Sequence, residues 1–159
     1  MAKDQPLVVE KNRCNCTALR KATRRVSLFY DSALAPSGLK STQYAVLSEI
    51  YRRGGAPPTI RELAEALVMD QSTLGQNLRP LEREGLVALV QDEADRRSRR
   101  VELTRVGRSR FAAARPLWDT AQQRFENGLG EHAAAELRSV LVTIAGDRSL
   151  AAETETFPS

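Results

Sequence analysis

Gln71, Ser72, Thr73, Gln76 and Arg79 fall on the polar side of a segment whose leucines Leu74, Leu78 and Leu81 recur at helical spacing. All five residues carry hydrogen-bonding groups. An α-helix fits the DNA major groove and sets the side chains of its N-terminal half against base edges, while its first turn offers backbone N–H groups to phosphate. The chemistry implied is recognition. Any surface helix is polar, however, so this reading depends on what the neighbouring residues add.

The next stretch adds charge. Between Asp92 and Arg110 there are seven arginines against four acids, concentrated in DEADRRSRR at 92–100. LVALV before it and VELT after it are short β-prone runs, so the charged residues form the tip of a hairpin held out from the body. Asp95 is expected to pair with Arg99 across the turn and stiffen it. Arg97 then points outward, suited to a narrow minor groove whose negative potential attracts arginine, and Arg96 and Arg100 are expected at phosphates. A solvated charged loop is the competing explanation.

These readers need elements to position them. In TIRELAEALVMD, Ile60, Leu63, Ala64 and Leu67 make the stripe of a one-faced helix, and Thr59 with Glu62 makes a capping box at its start. Only Val68 to Asp70 separate it from the leucine-bearing helix, which Gly85 stops; together they form a helix-turn-helix. Gly75 and Pro80 lie inside that second helix, costing about 1 and 3 kcal/mol relative to alanine. Upstream, helices are predicted from about Asn15 to Leu34 and from Thr42 to Arg53, with a turn at APSGL between them. Downstream, Thr104 is expected to cap a long helix to about Asn127, bent at Pro116, and a last helix follows from Glu131 to Ala145.

The fold class is therefore mainly α with a small β-hairpin wing: a winged helix-turn-helix flanked by N- and C-terminal dimerisation helices. The divisions are a flexible arm at 1–12, a dimerisation helix at 13–34, the winged unit at 40–104, dimerisation helices at 105–146 and a flexible tail at 147–159. Dimerisation follows from the terminal helices. Each carries a narrow apolar stripe, and one chain of this size lacks partners enough to bury them all, so a second copy is the economical solution.

Composition narrows the class. The 159 residues carry a formal net charge of +4, and of 24 basic residues only Lys3, Lys11, Lys21 and Lys40 are lysines. Arginine makes planar bidentate contacts that lysine does not, which suits phosphates and base edges. One histidine, His132, no phosphate-cradling glycine loop and no nucleophile with a positioned base speak against an enzyme, and no cofactor is expected. No apolar run is long enough to span a membrane, so the cytoplasm is the expected location.

Cys14 and Cys16 stand two residues apart near the start of the first helix. On a helix they point about 200° apart, which disfavours a direct bridge. A thiolate beside Arg13 at a helix N-terminus is stabilised, so redox sensing through an intersubunit disulfide is one reading and incidental thiols the other. With only His132 far away, the pair supplies too few ligands for zinc.

The combination of IRELAEALVMDQSTLGQNLRPLEREGLV with DEADRRSRRVELTRVG resembles the MarR family of bacterial winged-helix transcriptional regulators, over roughly residues 13–146. The DRR wing running into V-x-L-T-x-x-G is its most specific part. The resemblance implies an obligate homodimer, held by the first and last two helices, on a pseudo-palindromic operator in double-stranded DNA. By position it implies that Gln71, Ser72, Thr73, Gln76 and Arg79 read the major groove, that Asp95 stabilises the wing, and that Arg97 enters the minor groove. Gly75 departs from the hydroxyl residue members often carry there. Members often answer to a small, frequently aromatic or phenolic effector, for which Tyr30, Gln43, Tyr44, Tyr51 and Trp118 are the implied lining. Some relatives sense oxidants through an N-terminal cysteine. The function expected is a repressor released by such a ligand; the alternatives are a redox-sensing regulator of the same fold, or a winged-helix module for protein contacts.

Overall fold

A computed structural model describes residues 13–151 of the chain. The expected N-terminal arm at 1–12 and most of the expected tail lie outside the described residues. The order is α1 (Asn15–Leu34), a 3-10 turn (Ala35–Ser37), α2 (Ser41–Arg52), α3 (Ile60–Ala66), α4 (Gln71–Arg83), β1 (Val87–Gln91), β2 (Arg99–Leu103), α5 (Arg105–Leu129) and α6 (Glu131–Gly146). A second 3-10 turn at Arg148–Leu150 occupies the beginning of the segment expected to be loose; the Asp147 carboxylate caps it, accepting from the Ser149 N–H at 2.9 Å.

The helix boundaries follow from local caps. Thr59 Oγ1 accepts from the Glu62 N–H at 3.1 Å while Glu62 returns a carboxylate to the Thr59 N–H at 2.7 Å, so α3 starts there. Thr104 Oγ1 accepts from the Gly107 N–H at 3.0 Å and opens α5. Asp70, not singled out from the sequence, caps α4. Both α4 and α5 continue through an interior proline, Pro80 and Pro116. Each proline lacks the N–H that would reach back four residues, and the carbonyls left over belong to the exposed residues Gln76 and Ala112, where water can take up the bond.

One core fills the winged unit. Leu34, Leu47, Leu63, Leu74, Leu81, Leu86 and Val101 are fully buried in a single cluster that draws on α1, α2, α3, α4 and both strands. Burying each such side chain stabilises by about 1.5–3 kcal/mol, so the stripes read from the sequence account for most of what holds this half together. The V-x-L-T-x-x-G junction has a steric reason. A Cβ on Gly107 would stand 1.9 Å from the Leu86 carbonyl oxygen, so only glycine lets the first turn of α5 lie against the start of β1. The same carbonyl accepts from the Thr104 N–H at 3.1 Å.

The remaining half is different. Among the described residues of α6 only Ala134 is buried, and Leu137, Val140, Leu141, Val142 and Ile144 are exposed. An open apolar groove of about 500 Å³ runs between α1, α5 and α6, lined by Leu19, Val26, Phe125, Leu137 and Leu141 among others.

Candidate nucleic-acid interface and effector cavity

The helix α4 packs Leu74, Leu78 and Leu81 inward, which leaves Gln71, Ser72, Thr73, Gln76 and Arg79 exposed. They do not all present the same chemistry. Thr73 gives its N–H to Asp70 Oδ1 at 2.7 Å and its hydroxyl proton to Asp70 Oδ2 at 2.6 Å, so both donors are spent on the cap. Those two bonds, the hydroxyl's first, hold the Asp70 carboxyl below its ordinary range and keep it charged. Asn77, on the same helix, donates to the Thr73 carbonyl at 3.1 Å. Among the described residues none engages the side-chain donors of Gln71, Ser72, Gln76 and Arg79, which stay available to a partner. A Cβ on Gly75 would meet nothing within 4 Å, so packing inside the chain does not require glycine there.

The turn into α4 holds one strained residue. Val68 has φ of 53°, left-handed and unfavourable for a β-branched side chain. Its N–H bonds to the Glu65 carbonyl at 3.2 Å and the Met69 N–H to the Ala64 carbonyl at 2.9 Å, so the chain turns within the four residues that separate α3 from α4.

The wing is shorter and more tightly built than its composition suggests. The strands pair antiparallel from Val87↔Leu103 to Gln91↔Arg99, which draws Arg99 and Arg100 into the ladder and confines the tip to residues 92–98. The ion pair that stiffens it is made by Asp92, not by Asp95 with Arg99. Asp92 is buried and pairs with Arg100 at 2.9 Å, and its carboxylate also accepts from the Ala94 N–H at 2.9 Å. These bonds, the Ala94 N–H first, hold its carboxyl below the ordinary range against the effect of burial. Asp95 instead accepts from the Arg97 N–H at 3.0 Å, and among the described residues no ion pair joins it to Arg99. The register explains the change: Arg99 faces Gln91 and is exposed, whereas Arg100 is turned inward.

Arg100 is thereby drawn into the structure as well. Its guanidinium donates to the Pro57 carbonyl at 2.7 Å besides pairing with Asp92, and its backbone forms a bridge with Thr59. It clamps the wing to the segment that leads into α3, a structural role the sequence did not suggest. Arg96, Arg97 and Arg99 remain exposed, and among the described residues no ion pair engages them.

Above the winged unit, α1, α2 and α5 enclose an open cavity of about 490 Å³. Tyr30, Tyr44 and Trp118 line it; the Tyr44 and Trp118 rings stack with centroids 5.8 Å apart and planes 11° from parallel. Its polar groups include Ser41, Ser48, Arg52 and Gln122, none of which the sequence singled out. Arg52 pairs with Glu49, which also binds Arg53 Nε at 3.2 Å, so the three carry a net positive charge at the mouth. Tyr51 lies in an adjoining groove against Phe111, centroids 5.0 Å apart. Gln43 does not line either space: its Oε1 accepts from the Lys40 N–H at 2.9 Å, capping α2. Gln122 was missed because one glutamine on a long helix carries no periodic signal.

At the far end of α1, Cys14 is the N-cap. Its sulfur accepts from the Thr17 hydroxyl at 3.3 Å and the Thr17 N–H at 3.4 Å, which hold the thiol pKa below its ordinary value. Cys14 and Cys16 are both free and exposed. Among the described residues no group of three or more histidine, cysteine or acidic side chains is placed to hold a metal ion, and no helix is long and apolar enough to cross a membrane.

Comparison with known proteins bears on this geometry. The model of the MarR family matches residues 37–98. The transcriptional regulator HosA of Escherichia coli is 38% identical over 87 residues, 55% of this chain and 63% of that protein, so the chain spans less than two thirds of that relative. The HTH-type transcriptional repressor NicR of Pseudomonas putida is 32% identical over 123 residues, covering 77% of this chain and 75% of that one. Among solved structures, the M. tuberculosis transcriptional regulator MosR in complex with DNA matches with a TM-score of 0.75 and 34% identity, over 83% of this chain and 93% of that chain.

Proposed function

Because the chain belongs to the MarR family, we propose that it is a DNA-binding transcriptional regulator that works as a homodimer on a pseudo-palindromic operator. The observation that carries the reading is the pair of exposed readers fixed to one frame. Among the described residues, Gln71, Ser72, Gln76 and Arg79 keep free donors on α4, and Arg97 stands unpaired on a wing that Arg100 clamps to the chain leading into α3. A helix of this kind reads the major groove, and an arginine held beside it reaches the adjacent minor groove. The similar MosR is solved in complex with DNA, which supports the same partner here.

The second copy is seated on the exposed apolar row of α6 and the groove beside α1. Repression is the favoured outcome, in line with the name of NicR, because a dimer covering a promoter blocks polymerase without further partners. A regulator acting on DNA in a bacterium works in the cytoplasm. The stacked Tyr44 and Trp118 rings and the cationic mouth favour a small aromatic effector in the cavity between α1, α2 and α5, where binding alters the spacing of the two winged units.

Selection of genomic fragments with the purified protein tests the reading. A shared inverted repeat among the bound fragments is expected, with affinity that falls steeply as salt rises. Binding without sequence preference would favour the protein-contact module instead.

The stabilised Cys14 thiol favours a second, redox reading. In it, two thiols from the two copies lose their hydrogens to a peroxide, forming one S–S bond and two waters. A variant with Cys14→Ser and Cys16→Ser that still leaves DNA on peroxide treatment would exclude it.

A further inference from the structure

Tyr30 and Gln122 line both the aromatic cavity and the apolar groove, so they form part of the wall between the two. That wall is hydrogen-bonded in one direction. Arg138 on α6 donates to Glu126 Oε1 at 3.1 Å, Gln122 Nε2 donates to the same oxygen at 2.8 Å, and the Tyr30 hydroxyl donates to Gln122 Oε1 at 2.5 Å. An ionised carboxylate only accepts, so the Gln122 amide must turn its NH2 toward Glu126 and its carbonyl toward Tyr30. Reversed, the amide would set its oxygen against the carboxylate. Arg138 holds the Glu126 carboxylate in place, and so sets the orientation from the outer end of the chain.

The consequence lies in the cavity. With its proton committed to Gln122, Tyr30 has only acceptor capacity left for a ligand. Burial, and then the Glu126 charge, raise the Tyr30 phenol above its ordinary pKa, so it stays protonated at neutral pH. Ser41, on the same lining, is committed in the same sense, since its hydroxyl donates to Asp31 Oδ1 at 2.6 Å. The inner end of the cavity is thus an acceptor surface, opposite in character to the cationic mouth at Arg52.

We infer that Glu126 and Arg138 are positioning residues for ligand selectivity: through Gln122 they fix Tyr30 as an acceptor, so the cavity prefers an aromatic ring carrying a hydroxyl or N–H donor over the same ring without one. The inference rests on the effector-cavity reading and adds to it a control element on α6, the helix that faces the second copy. A ligand that reverses the polarity at Tyr30 must break the bond that ties α1 to α5 and the one from Gln122 to Glu126.

The test uses the full-length protein and needs no DNA. Trp118 is the only tryptophan of the chain and lines the cavity, so its fluorescence reports binding. The probes are 4-hydroxybenzoate and benzoate, and the readout is the ratio of their affinities within each variant, from which a general loss of affinity cancels. One added hydrogen bond predicts a preference of about fivefold for 4-hydroxybenzoate in the wild type. Glu126→Gln, which lets the Gln122 amide turn, is expected to bring the ratio near one. Tyr30→Phe removes the acceptor and does the same, Arg138→Met lowers the ratio, and Arg138→Lys restores it. A ratio near one in the wild type, or one that persists through Glu126→Gln and Tyr30→Phe, overturns the inference while leaving the cavity reading standing. Failure of both probes to change the fluorescence overturns the two together.

Discussion

The winged unit and the helical arms are built from the same material and end in opposite states. Helices α3 and α4 carry apolar stripes that close on α2 and the two strands, and Leu63, Leu74 and Leu81 are wholly buried. Helix α6 carries an apolar row as well, yet Leu137, Leu141 and Val142 are exposed, at 40%, 40% and 66%. Caps do not explain the contrast between the two regions, because α1 and α5 are capped by side chains as α3 and α4 are, and only α6 starts on a glycine without one. What differs is the supply of partners: short connections bring three helices and a hairpin round one core, while the arms project past it. A stripe left open in an otherwise well-satisfied chain marks a surface completed by another molecule, and exposed patches of this kind are uncommon on monomers.

The largest effect is expected where this contrast is attacked directly. Joint replacement of Leu137→Asp and Leu141→Asp is predicted to yield monomers by sedimentation with the winged unit still folded, and to weaken operator binding by at least about a hundredfold through loss of the second half-site. A dimer that survives would place the second copy elsewhere. Gly107→Ala attacks the other side. It forces α5 away from the Leu86 carbonyl, and urea denaturation should show a loss of about 1–3 kcal/mol. Arg97→Ala is expected to leave stability unchanged, to weaken operator affinity about tenfold at moderate salt, and to change the salt slope by about one. Arg100→Ala should instead loosen the wing, visible as faster amide exchange in β2.

Smaller changes sharpen the picture of the winged unit. Val68→Gly relieves a left-handed β-branched residue and is predicted to stabilise by about 0.5–1 kcal/mol in the same denaturation assay. Acid should act on this half through Glu62, Asp70 and Asp92, whose carboxyls are all held below the ordinary range by hydrogen bonds. The folded state binds fewer protons there than the unfolded chain, so their contribution is present above the unfolded carboxyl value of about 4 and is lost as pH falls through the lower folded values. Thermal melts across that range should therefore flatten for Asp92→Asn relative to the wild type.

Much of this organisation was legible in the sequence because it is local. The capping box at Thr59 and Glu62, the cap at Thr104 and the leucine spacing in α4 each act within one or two turns, and the structure repeats them. The wing failed at the level of register. Charge alone placed Arg99 and Arg100 in the loop and favoured Asp95 as the stabilising acid; the ladder extends two residues further because Arg100 finds Asp92 and the Pro57 carbonyl, a partner 43 residues away. The cavity was legible in its aromatics and not in its polar lining. Tyr30, Tyr44 and Trp118 stand at apolar helical positions, whereas Gln122 meets Tyr30 across 92 residues of chain, a contact no pattern on one helix encodes.

Footprinting by hydroxyl radicals on a selected operator fragment tests the account most directly, since it reads both halves of the molecule at once. The account predicts two protected half-sites related by two-fold symmetry, with centres about 34–36 Å apart if they lie one turn apart, each with a flanking minor-groove protection that disappears in Arg97→Ala. A single asymmetric protected segment, unchanged by Arg97→Ala, would contradict it.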